Sequence, residues 1–296
     1  MIDPFFPPIP ALKAWVEPLC EFLHLRTLPL HIHEVFGAYL LYHTIFEYFA
    51  PTISGLVSNR YAKLSSEGKI RWNMHCVSCV QSVLISYLAI KTMLVDKERQ
   101  EMTSHERIWG YTGAAGLVQA TACGYFLFDL VSMMRYLKIF GLPMLAHAVS
   151  CLATYTIGFR PICNFYGSTF LIYELSTPFL NFHWFFDKLG MTGSKAQLYN
   201  GFALIGTFFC ARLVWGTHAS IRIYKDVWEA WQVKDVPLVS DAGEMLRYNP
   251  ERSLPLWLAI TYLAGHITLN TLNVYWFNKM IQAVRKRFVK PPGKEI

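Results

Sequence analysis

Charge is what this sequence has least of. Lys, Arg, Asp and Glu together make up 16% of its 296 residues, against about 25% in ordinary soluble domains. That shortage excludes a single water-soluble catalytic domain. The seven cysteines, Cys20, Cys76, Cys79, Cys123, Cys151, Cys163 and Cys210, fall mostly inside apolar stretches and form no secreted-type disulfide framework. Cys76 and Cys79 make a C-x-x-C with no second pair and no carboxylate nearby, so they read as packing residues, and neither a metal nor a cofactor is expected. The start, MIDPFFPPIP, has no basic stretch leading into a long apolar core, so a cleaved signal peptide is not expected and the first apolar run should act as the anchor. No basic stripe with interleaved aromatics is present, which argues against nucleic acid as a partner despite the formal charge of +7.

What is present is apolar. AVILMFWYC residues reach 53% and aromatics 16%, and runs of roughly 20 mostly apolar residues, each able to cross a bilayer core of about 30 Å, recur along the chain. The expected fold is all-α: a polytopic membrane protein with about seven transmembrane helices at 31–54, 72–94, 109–133, 143–160, 163–186, 197–221 and 253–280. The fourth and fifth should form a tight hairpin about Arg160-Pro161. Residues 1–30 form a lumenal or interfacial segment, 31–285 the transmembrane domain and 286–296 a basic cytosolic tail. Leu12, Trp15, Val16, Leu19, Phe22 and Leu23 describe a surface-lying helix interrupted by Pro18. Tyr224, Val227, Trp228 and Trp231 repeat that spacing, either as a second such helix or as an extension of the sixth span, before a polar loop from Pro237 to Pro250.

Lys and Arg are nearly balanced between the two sides. The tight Arg285-Lys286-Arg287 cluster and the basic 58–71 loop favour a lumenal N-terminus and a cytosolic C-terminus. The net positive charge then suits a basic face against anionic headgroups.

Polar residues inside the spans are spaced at helical period. His75, Ser78, Cys79, Ser82 and Ser86 lie on one face of the second span, and His147, Ser150, Cys151 and Thr154 on one face of the fourth. Glu174, Pro178 and Asn181 follow in the fifth, and His266, Asn270 and Asn273 in the seventh. Each stripe alone could be an interhelical hydrogen-bond seam. Four together, with His, Glu and Asn at bilayer depth, predict a partly polar central cavity lined by these stripes. Gly116, Ala120 and Gly124 recur every four residues in the third span and should let a neighbouring backbone approach.

Depth counted at about 1.5 Å per residue puts Glu174 and Arg212 nearly level, so they are expected to pair across the bundle; the alternative sends Arg212 to the lumenal interface and leaves Glu174 facing the cavity. Asp129 and His147 both fall one or two turns from the cytosolic face. A carboxylate beside an imidazole is how a general base is oriented, so these two are the candidate catalytic residues. Equally, His147 could hydrogen-bond within the bundle while Asp129 caps a helix or pairs with Arg135.

RWNMHCVSCVQSVLISYLA at 71–89, GYFLFDL at 124–130, LPMLAHAVS at 142–150 and YELSTPFLNFHWF at 173–185 resemble, in order and spacing, the TLC-domain family. That family joins ceramide synthases, translocating-chain-associated proteins and neuronal-lipofuscinosis membrane proteins. The resemblance covers about residues 30–285 and is nearest to the small fungal-type and vertebrate TLC-domain proteins. It implies an endoplasmic-reticulum membrane protein with a six-helix barrel enclosing a lipid-sized tunnel, plus an extra N-terminal helix. Ceramide synthases carry two adjacent histidines where this chain has Ala146-His147, and Gln81 stands where a histidine often occurs. Asp129, Glu174, Thr177, Pro178 and Asn181 match the family pattern.

Three functions follow as expectations. The first is a protein that binds membrane lipid in an intramembrane cavity and acts in lipid homeostasis. The second is an acyltransferase of ceramide-synthase type, with acyl-CoA as substrate and His147 with Asp129 at the reaction centre. The third is a transporter or cargo receptor of the endoplasmic reticulum. The sequence leaves the oligomeric state open.

Overall fold

A computed structural model describes residues 6–232, 246–247 and 254–288. The expected tail beyond Phe288 and most of the loop from Pro237 to Pro250 lie outside the described residues. The described residues form a bundle of eight principal helices: α1 (Pro10–Leu23), α2 (28–57), α3 (Ser66–Val95), α4 (Gly113–Arg135), α5 (Leu142–Ile157), α6 (164–188), α7 (Lys195–Gln232) and α8 (Leu256–Phe288). Helices α2, α6 and α7 are continuous through irregular turns: a π segment Ile45–Phe49, a 3-10 segment Ile172–Ser176 and a π segment Phe209–Trp215.

Local chemistry sets the boundaries. The Ser65 hydroxyl accepts from Gly68 N at 3.2 Å and starts α3, and Ser194 does the same for Gln197 at the head of α7. The third span, expected from residue 109, begins as a helix only at Gly113. Its Thr112 hydroxyl accepts from Ala115 N, while the preceding β1 (Gly110–Tyr111) pairs antiparallel with β2 (Leu246–Arg247). Pro18 does not interrupt α1, contrary to expectation. A proline removes one backbone donor, and Val16 and Cys20 on either side of it are buried in one apolar cluster with residues of α2 and α4, which holds the helix together. Residues 216–232 continue the sixth span as one helix rather than forming a separate surface helix.

Helices α3, α4 and α7 are long and apolar enough to cross a membrane, and α5 is a shorter apolar helix. Length and composition do not mark the other expected spans in this way. Their apolar runs are diluted by His31, Glu34 and His43 in α2, by Glu174, Asn181 and His183 in α6, and by His266, Asn270 and Asn273 in α8.

The small-residue stripe of α4 admits α2. At Gly124 a Cβ would collide with the Val35 carbonyl and Ala38, and at Gly116 with His31 and Tyr111. His31 is fully buried there, bonded to the Tyr111 hydroxyl and, through Nδ1, to Glu34 at 2.6 Å.

A polar cap closes the end of the bundle where α3 gives way to α4. Arg107 donates from Nε and Nη2 to both oxygens of buried Asp226, at 2.6 and 2.8 Å, and the Tyr166 hydroxyl donates to the same carboxylate. The partnership with Asp226 raises the Arg107 pKa above its ordinary value. Asp96 accepts from the Thr112 hydroxyl at 2.6 Å and from Arg99 N at 3.1 Å. The Arg99 guanidinium donates to Phe165 O and the Thr169 hydroxyl and lies 4.0 Å over the Phe165 ring. Burial pushes its pKa down to about 10, against the opposing pull of Asp96, so it stays charged at neutral pH.

Candidate functional site

Two helical irregularities face each other at mid-bundle. Arg212 sits within the π segment of α7, and Glu174 within the 3-10 segment of α6. Such segments break the regular hydrogen-bond ladder and are frequent where a helix is adapted to function. Arg212 Nε donates to the Tyr173 carbonyl at 3.0 Å and to the Ser176 hydroxyl at 3.2 Å. Its Nη1 donates to Asn273 Oδ1 at 3.1 Å, and its Nη2 to the Thr177 hydroxyl at 3.2 Å and Glu174 Oε1 at 3.4 Å. One guanidinium therefore ties α6, α7 and α8 together with its donors satisfied, as a charge only 9% exposed requires. The levels estimated for Glu174 and Arg212 agree with this pair.

Two cavities meet at that knot, and a third adjoins one of them. A chamber of about 300 Å³ is walled by Ser78, Tyr125, Asp129, His147, Glu174, Thr177, Arg212, Trp276 and Lys279. A throat of about 70 Å³ shares His147, Glu174 and Arg212 with the chamber and continues between Phe126, Cys151, Thr154, Tyr155, Phe170, Leu171 and Leu269. A cleft of about 420 Å³ shares Ile223, Tyr262 and His266 with the throat and lies between α7 and α8, bounded by Tyr224, Trp228, Trp231 and Ile260. Helix α8 runs along all three, from Leu256 to Met280. At 1.5 Å per residue that stretch is about 36 Å long, comparable to a bilayer core of about 30 Å. Charge is densest at the chamber, where Asp129 and Lys279 join Glu174 and Arg212; the throat shares the latter two and carries Gln119, Thr154, His266 and Asn273 among apolar and aromatic side chains, and the cleft is chiefly apolar and aromatic.

A sequence model of the TLC domain matches residues 71–282. This chain belongs to the TLC-domain family. It is 37% identical over 277 residues to an uncharacterised TLC domain-containing protein of Schizosaccharomyces pombe, covering 94% of this chain and 87% of that one. It is 30% identical over 289 residues to the topoisomerase I damage affected protein 4 of Saccharomyces cerevisiae, covering 95% and 94%. Human TLC domain-containing protein 4 is 28% identical over 216 residues, covering 68% and 81%.

Within this TLC domain the expected site residues divide. Asp129, His147, Glu174, Arg212 and Ser78 meet at the chamber, and Thr154, His266 and Asn273 line the throat. Ser82, Ser150, Asn181 and Asn270 do not reach these three cavities. The stripe of α3 is mainly a seam: His75 Nδ1 donates to Asn181 Oδ1 at 2.8 Å, Asn181 Nδ2 donates to the Ser78 hydroxyl at 3.1 Å, and the ring of His75 stacks on Trp184 at 4.2 Å. Ser82 is fully buried and returns its hydroxyl to the Cys79 carbonyl. Asn270 bridges the Tyr173 and Ser220 hydroxyls between α6, α7 and α8. In α3 the interhelical-seam reading wins, because helical spacing shows which residues share a face but not whether a cavity or a neighbour opposes it.

Asp129 and His147 share the chamber but form neither a hydrogen bond nor an ion pair. The polar contact of His147 is the Cys151 sulfur at 3.7 Å from Nε2, and its ring meets Trp276 edge-on at 5.4 Å. Among the described residues no carboxylate bonds to the imidazole, and Arg135 pairs with Glu47 at 3.2 Å rather than with Asp129. Sequence reading missed the Tyr173 carbonyl, Ser176 and Thr177 as partners of Arg212. Thr177 could have been found, since it is one of the residues matching the family pattern. Cys76 and Cys79 are free thiols, and no cluster of three or more metal-ligating side chains occurs among the described residues.

Proposed function

We propose that this TLC-domain protein binds one membrane lipid inside the bundle, with the acyl chain in the throat and the headgroup at the chamber, and that it acts in lipid homeostasis. The observation that carries this reading is the alignment of three adjoining cavities along α8, charged at one end and with chiefly apolar and aromatic walls beyond. A lipid has that distribution of chemistry. Arg212, Glu174, Asp129 and Lys279 offer both signs of charge to a headgroup, and an acyl chain would lie against Phe126, Leu171 and Leu269. The reading includes seven membrane-spanning helices, α2 to α8, a lumenal N-terminus and a cytosolic C-terminus in the endoplasmic reticulum.

The test is organic extraction of gently purified protein. We expect a lipid-to-protein molar ratio near one, reduced at least fivefold in Thr154→Trp, which fills the throat. An unchanged ratio in a folded variant contradicts the reading. A second reading, acyl transfer from acyl-CoA, is favoured by one observation: His147 lines both throat and chamber, and Asp129 and Glu174 line the chamber with it. Incubation with acyl-CoA and a panel of sphingoid and glycerolipid acceptors separates the two. Acyl product made by the wild type and lost in His147→Ala establishes the transferase.

A further inference from the structure

The cleft between the end of α7 and the start of α8 differs from the throat in being open. Trp228 is 58% exposed and Ile260 54% exposed, yet both line the same concave space, which continues through Tyr262 and His266 into the protein interior. The His266 ring stands at the junction, 4.3 Å from Phe170 on the throat side and 6.0 Å from Tyr224 on the cleft side. Among the described residues no Lys, Arg, Asp or Glu lines the cleft. The occupant that suits walls of this apolar and aromatic kind is hydrocarbon.

We propose that this cleft is the open end of the lipid site: a chain anchored at the level of Arg212 passes His266 and its methyl end leaves the bundle between α7 and α8 into the bilayer. The proposal rests on the lipid-binding reading above and adds its specificity. A closed cavity sets a maximum chain length, whereas a site with an open floor does not. Along α8, Asn273, which is bonded to Arg212, lies thirteen residues or about 20 Å from Ile260, so a short chain ends in the throat and a long one reaches the cleft. Ala259, on the cleft wall, is where the floor can be closed by substitution.

The experiment is a molecular ruler. Full-length protein in detergent is given lysophosphatidylcholines carrying a photoreactive diazirine at the methyl end of an octanoyl, palmitoyl or lignoceroyl chain, with and without excess unlabelled lipid. Competable adducts should fall on throat residues such as Leu171 and Leu269 for octanoyl, and on Trp228, Ile260 or Leu263 for palmitoyl. In Ala259→Trp, affinity for lignoceroyl lipid should fall at least tenfold while octanoyl lipid binds as in the wild type. Ile260→Trp is the milder second variant should the first fail to fold, and Ala264→Trp, exposed on α8 away from the cleft, is the control. If throat residues are labelled but the adduct does not move to the cleft with chain length, or Ala259→Trp and Ile260→Trp bind both lengths equally, the open floor is wrong and the lipid-binding reading stands. If no cavity residue is labelled by any length, both fall.

Discussion

Arg212 and Tyr173 meet where two helices depart from regular geometry, the guanidinium Nε donating to the backbone carbonyl at 3.0 Å. A π segment on one helix and a 3-10 segment on its neighbour thus carry the same contact. The charge is held by four neutral oxygens and one carboxylate. Its removal and the removal of Glu174 should therefore differ in cost.

Arg212→Gln leaves Glu174 without its cation in a buried site, which typically costs about 3–5 kcal/mol. Glu174→Gln leaves Arg212 with its neutral acceptors and should cost less, about 1–3 kcal/mol. The double variant should be more stable than the sum of the two losses implies, with a coupling above about 0.5 kcal/mol. Detergent-phase melting of the four proteins checks this, and additive losses would show that the pair does not interact.

Close approach of α2 to α4 makes a second prediction. Gly124→Val has no room beside the Val35 carbonyl, so overpacking should cost about 1–3 kcal/mol. Gly206→Ala, with nothing within 4 Å of the added methyl, should melt with the wild type. Equal melting temperatures for Gly124→Val and wild type would mean that the helices do not pack as described.

The polar cap should depend on the shape of its cation. Arg107→Lys retains the charge but cannot reproduce two parallel bonds to Asp226. We expect a loss of about 1–3 kcal/mol and faster proteolysis near residues 100–110. Wild-type stability in Arg107→Lys would show that charge alone suffices.

The proposed orientation makes a further prediction. In sealed microsomes a tag at residue 296 should be open to protease and a glycosylation acceptor inserted near residue 240 should be modified. Protection of the tag together with an unmodified acceptor would invert the topology.

What the sequence made legible follows from what periodicity and depth encode. The stripe His266, Asn270 and Asn273 is visible because side chains at i, i+4 and i+7 share a helical face, and the Glu174–Arg212 level is visible because a helix rises by a fixed amount per residue. The Tyr173 carbonyl was not legible, since a switch of backbone hydrogen bonding leaves no mark in side-chain spacing. His75 and Ser82 look like cavity residues by spacing alone, and only packing against α6 shows that His75 belongs to a seam. Arg99 and Arg107 fall in a stretch with no period, so the sequence shows only their charge; in the fold both are engaged in the cap.

The claim on which the account turns is a lipid held inside the bundle. Native mass spectrometry of the wild-type protein, released gently from detergent, measures it most directly. The expected result is a population heavier than the bare chain by the mass of one lipid, retained at collision energies that strip detergent. Bare chain alone under those conditions, from protein shown to be folded, would contradict it.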